Sequence, residues 1–374
     1  MLRWAERVWP PSGARAERGR MERGAAKPRG PGLGRRNITM TICFLFFLYI
    51  SRLRCFVLLA VGFFRRKKYN PDDIMSNGQK YLEKQLADEI ERLQSSVETI
   101  YKKIENNEKI DKRVALEDAK RVVKLLDKGE IKVAEQDENG KWITNEWIKK
   151  SICLLFLEQN RAISGYGSNE TGASSITLFD KIGNKFEGWS SATFMNLNIR
   201  VVPGCVVRKG VFIGKNCDIM LSFINVGNYI GEGTKIGCMT SIGFGTYIGE
   251  SCCICDNVSI GENNDPILAP QIIIEDDCLI KSGCIIGRDI IVGKGSILEN
   301  GVILSHDTKI IDYATGREIV DKIPNNSIVK NGTFRQDKDI SLVCAIVFAR
   351  KNDNKQPAQD LDLLKNNSDV DEDL

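Results

Sequence analysis

The chain carries one histidine, His306, and imidazole is the side chain best suited to move protons near neutral pH. His306 stands two residues after Leu304, near a corner of a repeat, where it is a candidate for a general base. An isolated histidine is more commonly a surface side chain. Cys252 and Cys255 form a C-x-x-C, a spacing used by redox and metal-binding thiols. No second pair answers it, and Ile254 between them belongs to a regular aliphatic series, so packing is the plainer reading and no metal ligand is assigned. Lys281 and Arg288 suggest a small anion site, set against an ordinary solvated face.

All of these residues fall within 200–310, a stretch in which isoleucine recurs in sixes. One train runs Ile224, Ile230, Ile236, Ile242, Ile248, Ile254, Ile260. A second runs Ile274, Ile280, Ile286, Val292, Leu298, Leu304, Ile310, and a shorter run, Val207, Ile213 and Ile219, precedes both one residue out of phase. Neither a period of 3.6 nor one of 2 gives this pattern, but a hexapeptide repeat does. Each unit is a short strand and a corner, and three units close a coil. The aliphatic residues point inward and the coils stack at ~4.8 Å. Glycine often follows the aliphatic residue. The expectation is a left-handed parallel β-helix over residues 201–311, mainly β, behind an α-helical N-terminal region. Residues 261–272 separate the two trains and read as an external lid.

A chain of 374 residues is long enough for a sizeable core and more than one domain. The net charge of +4 gathers in the first 70 residues, and nothing downstream combines a basic stripe with aromatics as a nucleic-acid surface would. The 12 cysteines are scattered through a chain too large to need a disulfide framework, which points to reduced thiols and a cytoplasmic setting. Residues 1–74 form a basic and apolar extension, disordered over 1–37. Two apolar runs within 38–64, interrupted by Arg52 and Arg54, leave three readings open: a membrane anchor, a presequence, or a stretch upstream of a start at Met75.

Residues 75–190 read as a helical N-terminal domain. Helices are expected over 77–101, with Leu82, Leu86, Ile90 and Leu93 on one stripe, and over 114–126, ended by Gly129. A hairpin over 131–134 and 142–144 turns at Asn139-Gly140. A helix over 145–157 and a Gly/Ser/Asn-rich loop over 163–175 follow. The β-helix domain takes 191–320, closing strands take 321–350, and 351–374 is an acidic, disordered tail.

The run Arg200-Val-Val-Pro-Gly, then Ser222-Phe-Ile-Asn-Val-Gly-Asn-Tyr, Glu232-Gly-Thr, Ile273-Ile-Glu-Asp and Thr308-Lys-Ile-Ile-Asp-Tyr-Ala-Thr-Gly resembles bacterial tetrahydrodipicolinate N-succinyltransferases. So do Lys132-Val-Ala-Glu, Gly140-Lys-Trp-Ile-Thr-Asn-Glu-Trp-Ile-Lys-Lys and Ser341-Leu-Val-Cys-Ala. The resemblance implies a homotrimer of left-handed β-helices with active sites between neighbouring subunits. It also implies succinyl-CoA as co-substrate, no permanently bound cofactor, and an amino dicarboxylate acceptor in lysine and diaminopimelate synthesis.

Acyl transfer to an amine needs a general base, alignment with the thioester, and donors for the oxyanion. By resemblance, Arg200 and Gly237 are the substrate-binding positions, Arg200 matching an acceptor carboxylate with its planar fork. Coenzyme A is expected along the stacked coils near Ser282, Asn300 and Gly301, held mainly by backbone groups. The chain departs from the family pattern where acid and base groups are expected: Gly237 replaces an acidic residue, and Gly283 and Ile285 replace an arginine and a glutamate. Gly237→Asp is therefore expected to raise the rate if the remaining geometry supports the family reaction. Two alternatives stay open: a hexapeptide acyltransferase acting on a different amine, and a non-catalytic trimeric paralogue.

Overall fold

The computed structural model describes residues 71–158, 161–164, 177–267, 269–287, 289–335 and 340–350. Residues 1–70, most of the 163–175 loop, Arg288 and the tail 351–374 lie outside the described residues, and with them the expectations of disorder and of an anchor over 38–64. Among the described residues no helix is long and apolar enough to cross a membrane.

Two compact units divide between Arg92 and Leu93. The described part of the first is residues 71–92, the leading part of helix α1 (Pro71–Glu105). The helix starts before the expected boundary, and Leu82 of the predicted stripe is exposed there.

In the second unit the rest of α1 buries Leu93, Val97, Ile100 and Tyr101, the i, i+4, i+7 spacing of one helical face. Helix α2 (Lys112–Lys128) is capped by Asp111, whose side chain accepts from the Arg113 and Val114 amides. Gly129 ends it in the left-handed conformation, φ 74°. The predicted hairpin is present, but its first strand is Ala134–Gln136 rather than 131–134. Asp137 tightens the turn by accepting from the Asn139 and Lys141 amides. Helix α3 (Glu146–Leu155) buries Trp147, Ile148, Ile152 and Leu155 as its spacing requires. An antiparallel pair, Arg161–Ser164 with Thr177–Asp180, and the short helix α4 (Ser191–Leu197) lead into the repeat.

From Arg200 the chain winds as a parallel β-helix with three faces. The first face stacks Phe212–Ile213, Tyr229–Ile230, Tyr247–Ile248, Ile272–Ile274 and Ile290–Val292. The second begins at Arg200–Val201 and the third at Val206–Val207. In the regular coils Ile224 pairs with Ile242 and Ile242 with Ile260, three hexapeptides apart. The inward aliphatics are almost wholly buried and form one continuous core, each contributing about 1.5–3 kcal/mol of transfer free energy.

Three of the buried cysteines have a place in this geometry. Cys217, Cys252 and Cys278 lie inside the corner between the first and second faces. Their thiols donate to the carbonyls of Gly231, Glu275 and Gly293 in the next coil. Thr234 and Ser296 do the same with hydroxyls. Small donors satisfy corner carbonyls that would otherwise be buried without partners.

The sixfold count breaks after Leu304, and the coil resumes at Lys322–Ile323 and Ile328–Val329. Ile310 is buried, but its strand Lys309–Asp312 pairs with Ser341–Arg350 and with Glu318–Ile319. Lys322–Ile323 takes the place below Ile290–Val292. A turn at Asp312, whose carboxylate accepts from the Ala314 amide, folds the chain back and interrupts the coil. The closing strands within 321–350 are Ser327–Arg335 and Ser341–Arg350.

The outward side of the first face is covered from within this unit. Phe212, Tyr229 and Tyr247 stack at 4.7 and 4.9 Å. Trp142 caps the stack 4.7 Å from Tyr247, and Lys132 lies 4.1 Å over the Tyr229 ring. The assignment of Ile242 to the core is tested by Ile242→Asp. An unpaired charge in the fully buried column should cost more than about 4 kcal/mol and abolish cooperative unfolding in urea. Ile242→Val should cost about 1 kcal/mol.

Candidate active site

On the second face the residue before each inward aliphatic forms one outward column and the residue after it a second. Arg200, Asp218, Lys235 and Cys253 are register partners in the first column. Met220, Gly237, Cys255, Lys281 and Glu299 follow in the second, coil upon coil. Arg200 is exposed, and its Nη2 lies 3.4 Å from Met220 Sδ. The guanidinium thus reaches the second column one coil before Gly237. The fold brings the two expected substrate-binding positions to one face.

Gly237 has no room for a side chain. A Cβ there would stand 2.5 Å from the Cys255 carbonyl carbon and 2.7 Å from the Asp256 nitrogen, both backbone atoms of the next coil. It would also stand 2.6 Å from Asp256 Oδ1. Gly237→Asp would therefore force the coils apart, a structural cost set against the expected gain in rate. The carboxylate of this neighbourhood comes instead from Asp256, whose Oδ1 accepts from the Cys238 amide at 2.6 Å. Sequence reading missed Asp256 because its proximity to Gly237 exists only once the coils are in register.

Ser282, Asn300 and Gly301 occupy the corner where the second face gives way to the third. The corner is a ladder of backbone bonds: the Asn257 amide donates to Cys238 O, Gly283 to Asp256 O, and Gly301 to Ser282 O at 2.8, 3.1 and 3.0 Å. Asn331 Nδ2 closes it on Gly301 O at 2.8 Å. Ser282 and Asn300 are exposed. Ile285, beside them on the third face, is 43% exposed, an apolar side chain that carries no proton. An extended ligand laid along this edge would pass both Gly237 and Ser282.

Other expected groups lie elsewhere. His306 is exposed in the turn after Leu304, at the edge where the third face meets the first, and no hydrogen bond orients its ring among the described residues. Lys281 is paired with Glu299 at 3.1 Å, so it is not an open anion site, and Arg288 lies outside the described residues. Cys252 points inward and Cys255 outward, so the C-x-x-C is not assembled. The segment 261–271 is not a loose lid. Buried Lys149 of α3 donates to Ala269 O at 3.2 Å, and Gln271 Nε2 donates to Gly245 O. A polar chain runs from Asp180 through Arg208 and Asn225 to Asn263 and Ser241, fastening the start of the segment to the third face.

The close approach at Gly237 makes a specific prediction. Gly237→Ala should destabilise the chain by about 1–3 kcal/mol, the usual cost of overpacking. The measurement is the urea midpoint. Because the clash is with backbone, removing the Asp256 side chain as well should not restore it.

The family model described as tetrahydrodipicolinate N-succinyltransferase N-terminal matches residues 92–157, which hold the end of α1, α2, the hairpin and α3. A 2,3,4,5-tetrahydropyridine-2,6-dicarboxylate N-succinyltransferase of Wolbachia sp. subsp. Brugia malayi is 40% identical over 272 residues, covering 71% of this chain and 95% of the relative. The protein of the same description from Wolbachia pipientis wMel is 39% identical over the same shares. That from Caulobacter vibrioides is 36% identical over 63% of this chain and 83% of its own. Identity at this level over nearly the whole of a relative settles the family: the chain belongs to the tetrahydrodipicolinate N-succinyltransferases.

Proposed function

We propose that this chain transfers the succinyl group of succinyl-CoA to the amine of a tetrahydrodipicolinate-derived amino dicarboxylate, in lysine and diaminopimelate synthesis. We propose further that it works as a homotrimer of left-handed β-helices. The observation that carries the reading is the 40% identity across 95% of a relative described with that activity. The second face and its trailing corner then take the roles of acceptor site and coenzyme A groove.

In this reading Arg200 binds an acceptor carboxylate, held along the face by its contact with Met220. Asp256, beside Gly237, takes the proton from the attacking ammonium, the part that the side-chain-free Gly237 cannot play. The freed amine adds to the thioester carbonyl, and the tetrahedral intermediate expels the coenzyme A thiolate, which takes up a proton. The backbone ladder at Ser282, Asn300 and Gly301 binds the pantetheine amides. His306 stands on another edge of the prism and enters such a site only across a subunit interface. A different amine acceptor is the second reading, favoured by the absence of protonic groups at Gly237, Gly283 and Ile285.

Steady-state kinetics test the assignment. Arg200→Ala should lower kcat/KM for the acceptor by ~30- to 1,000-fold, with coenzyme A binding nearly intact. Asp256→Asn keeps the acceptor oxygen for the Cys238 amide and removes the charge, so it should lower kcat by about 10²–10⁴-fold with little change in stability. Equal rates in wild type and Asp256→Asn would remove Asp256 from the mechanism. Turnover with other amines but none with amino dicarboxylates would select the second reading.

Assembly is tested separately by light scattering, both on the full chain and on the segment starting at Met75. A trimer is expected at micromolar concentration. A monomer with full activity would contradict an intersubunit site.

A further inference from the structure

Cys253 and Cys255 are the one pair of cysteines on the second face for which the fold's corner bonding gives no account. They flank inward Ile254, are both partly exposed, and project from the same face two residues apart. Lys235 is the register partner of Cys253 in the preceding coil. It shares its charge with Asp218 at 3.8 Å, the edge of ion-pair range. Asp256 follows Cys255 and is turned to the Cys238 amide. In the next coil Lys281 is already bound to Glu299, and Leu279, the partner of Cys253 there, is apolar.

This surrounding separates the two thiols. The hydrogen bond from Cys255, then the Lys235 ammonium, hold the Cys253 thiol down at about 7 against the opposing effect of desolvation. Cys255 donates to that thiolate and sits beside Asp256, so its own thiol is pushed up. The inward cysteines differ: burial raises Cys205, Cys284 and Cys217, the last to about 11. A partly exposed thiol beside a cation and a hydrogen-bond donor is the environment of a reactive cysteine.

We propose that Cys253 is a thiol-modification site that exchanges with small-molecule disulfides, and that its modification blocks the second face. The Cys253 thiolate attacks one sulfur of a disulfide such as glutathione disulfide. The new S–S bond forms as the old one breaks, and the second half leaves as a thiolate that takes up a proton. Cys253 is oxidised, the departing half is reduced, and Cys255 completes a second exchange wherever it displaces the bound half. The adduct stands one coil beyond Lys235 and beside the Gly237 column, within the face that Arg200 opens. The blocking step rests on the acceptor-site reading given above; the reactivity of Cys253 does not.

The experiment treats the full chain with glutathione disulfide across a pH series and maps the modified peptides by mass spectrometry. Succinyl transfer is followed in parallel. Modification should appear first at Cys253, as an adduct or a bridge to Cys255, with a rate that rises through pH about 7. Exposed Cys238 serves as the reference thiol and should lag. Lys235→Met and Cys255→Ser should each slow the reaction at pH 6.5 by roughly tenfold, as loss of thiolate requires. Both positions point outward, and unchanged circular dichroism establishes that the variants fold. Labelling of Cys238 as fast as Cys253, or rates indifferent to both variants, would overturn the site. Loss of transfer that a reductant restores, and that Cys253→Ser escapes, supports the block. Modified Cys253 with undiminished transfer would leave the thiol reactive, overturn the block, and count against the second face as the acceptor site.

Discussion

Everything in this molecule depends on successive coils meeting in register. The backbone ladder at ~4.8 Å is satisfied only if each turn of chain returns in step, and the inward aliphatics enforce that return by filling one dry column apiece. The same closeness governs what stands outside. The residue after the inward aliphatic lies so near the following coil that, at Gly237, a single carbon would meet backbone at 2.5 Å. At Gly237, therefore, a protonic group has to come from a neighbouring coil, and the carboxylate that stands nearest is that of Asp256. Register is therefore both the source of stability and the device that assembles chemistry from residues distant in sequence.

The N-terminal elements of the same unit use one face of the prism. The stacked rings of Phe212, Tyr229 and Tyr247, with Trp142 and Lys132 over them, take the first face out of solvent. Lys149 and the Asp180–Arg208–Asn225 chain hold residues 261–271 against this side of the molecule. The second face keeps an exposed Arg200, two partly exposed thiols and an edge of backbone bonds. Distribution of packing among the faces, rather than any single motif, marks where a ligand has access.

The inward columns could be read directly from the sequence because burial imposes one residue type at one interval, and Ile224 to Ile260 obey it without exception. The hairpin and α3 were legible for similar local reasons: turn chemistry at Asn139-Gly140 and an apolar helical stripe. Legibility ended where a contact depends on the number of residues in an interruption. Ile310 keeps the sixfold count yet pairs with Ser341–Arg350, because the turn at Asp312 diverts the chain. Cys252 and Cys255 share a familiar spacing, but strand alternation sends one inward and one outward and makes Cys253 the true neighbour. For the site, Arg200 and Gly237 were legible by resemblance and fall on one face, whereas Asp256 needed the register of two coils. His306 was conspicuous as a residue type and stands at a different edge.

In the proposed function the second face and its trailing corner form the acceptor site and coenzyme A groove. A crystal structure of the full chain with coenzyme A and a saturated amino dicarboxylate tests it most directly. The pantetheine arm should lie along Ser282, Asn300 and Gly301, with a carboxylate of the acceptor on Arg200 and its amine within hydrogen-bond distance of Asp256. Coenzyme A seated on another edge of the prism, with Arg200 and Asp256 left in solvent, would contradict it.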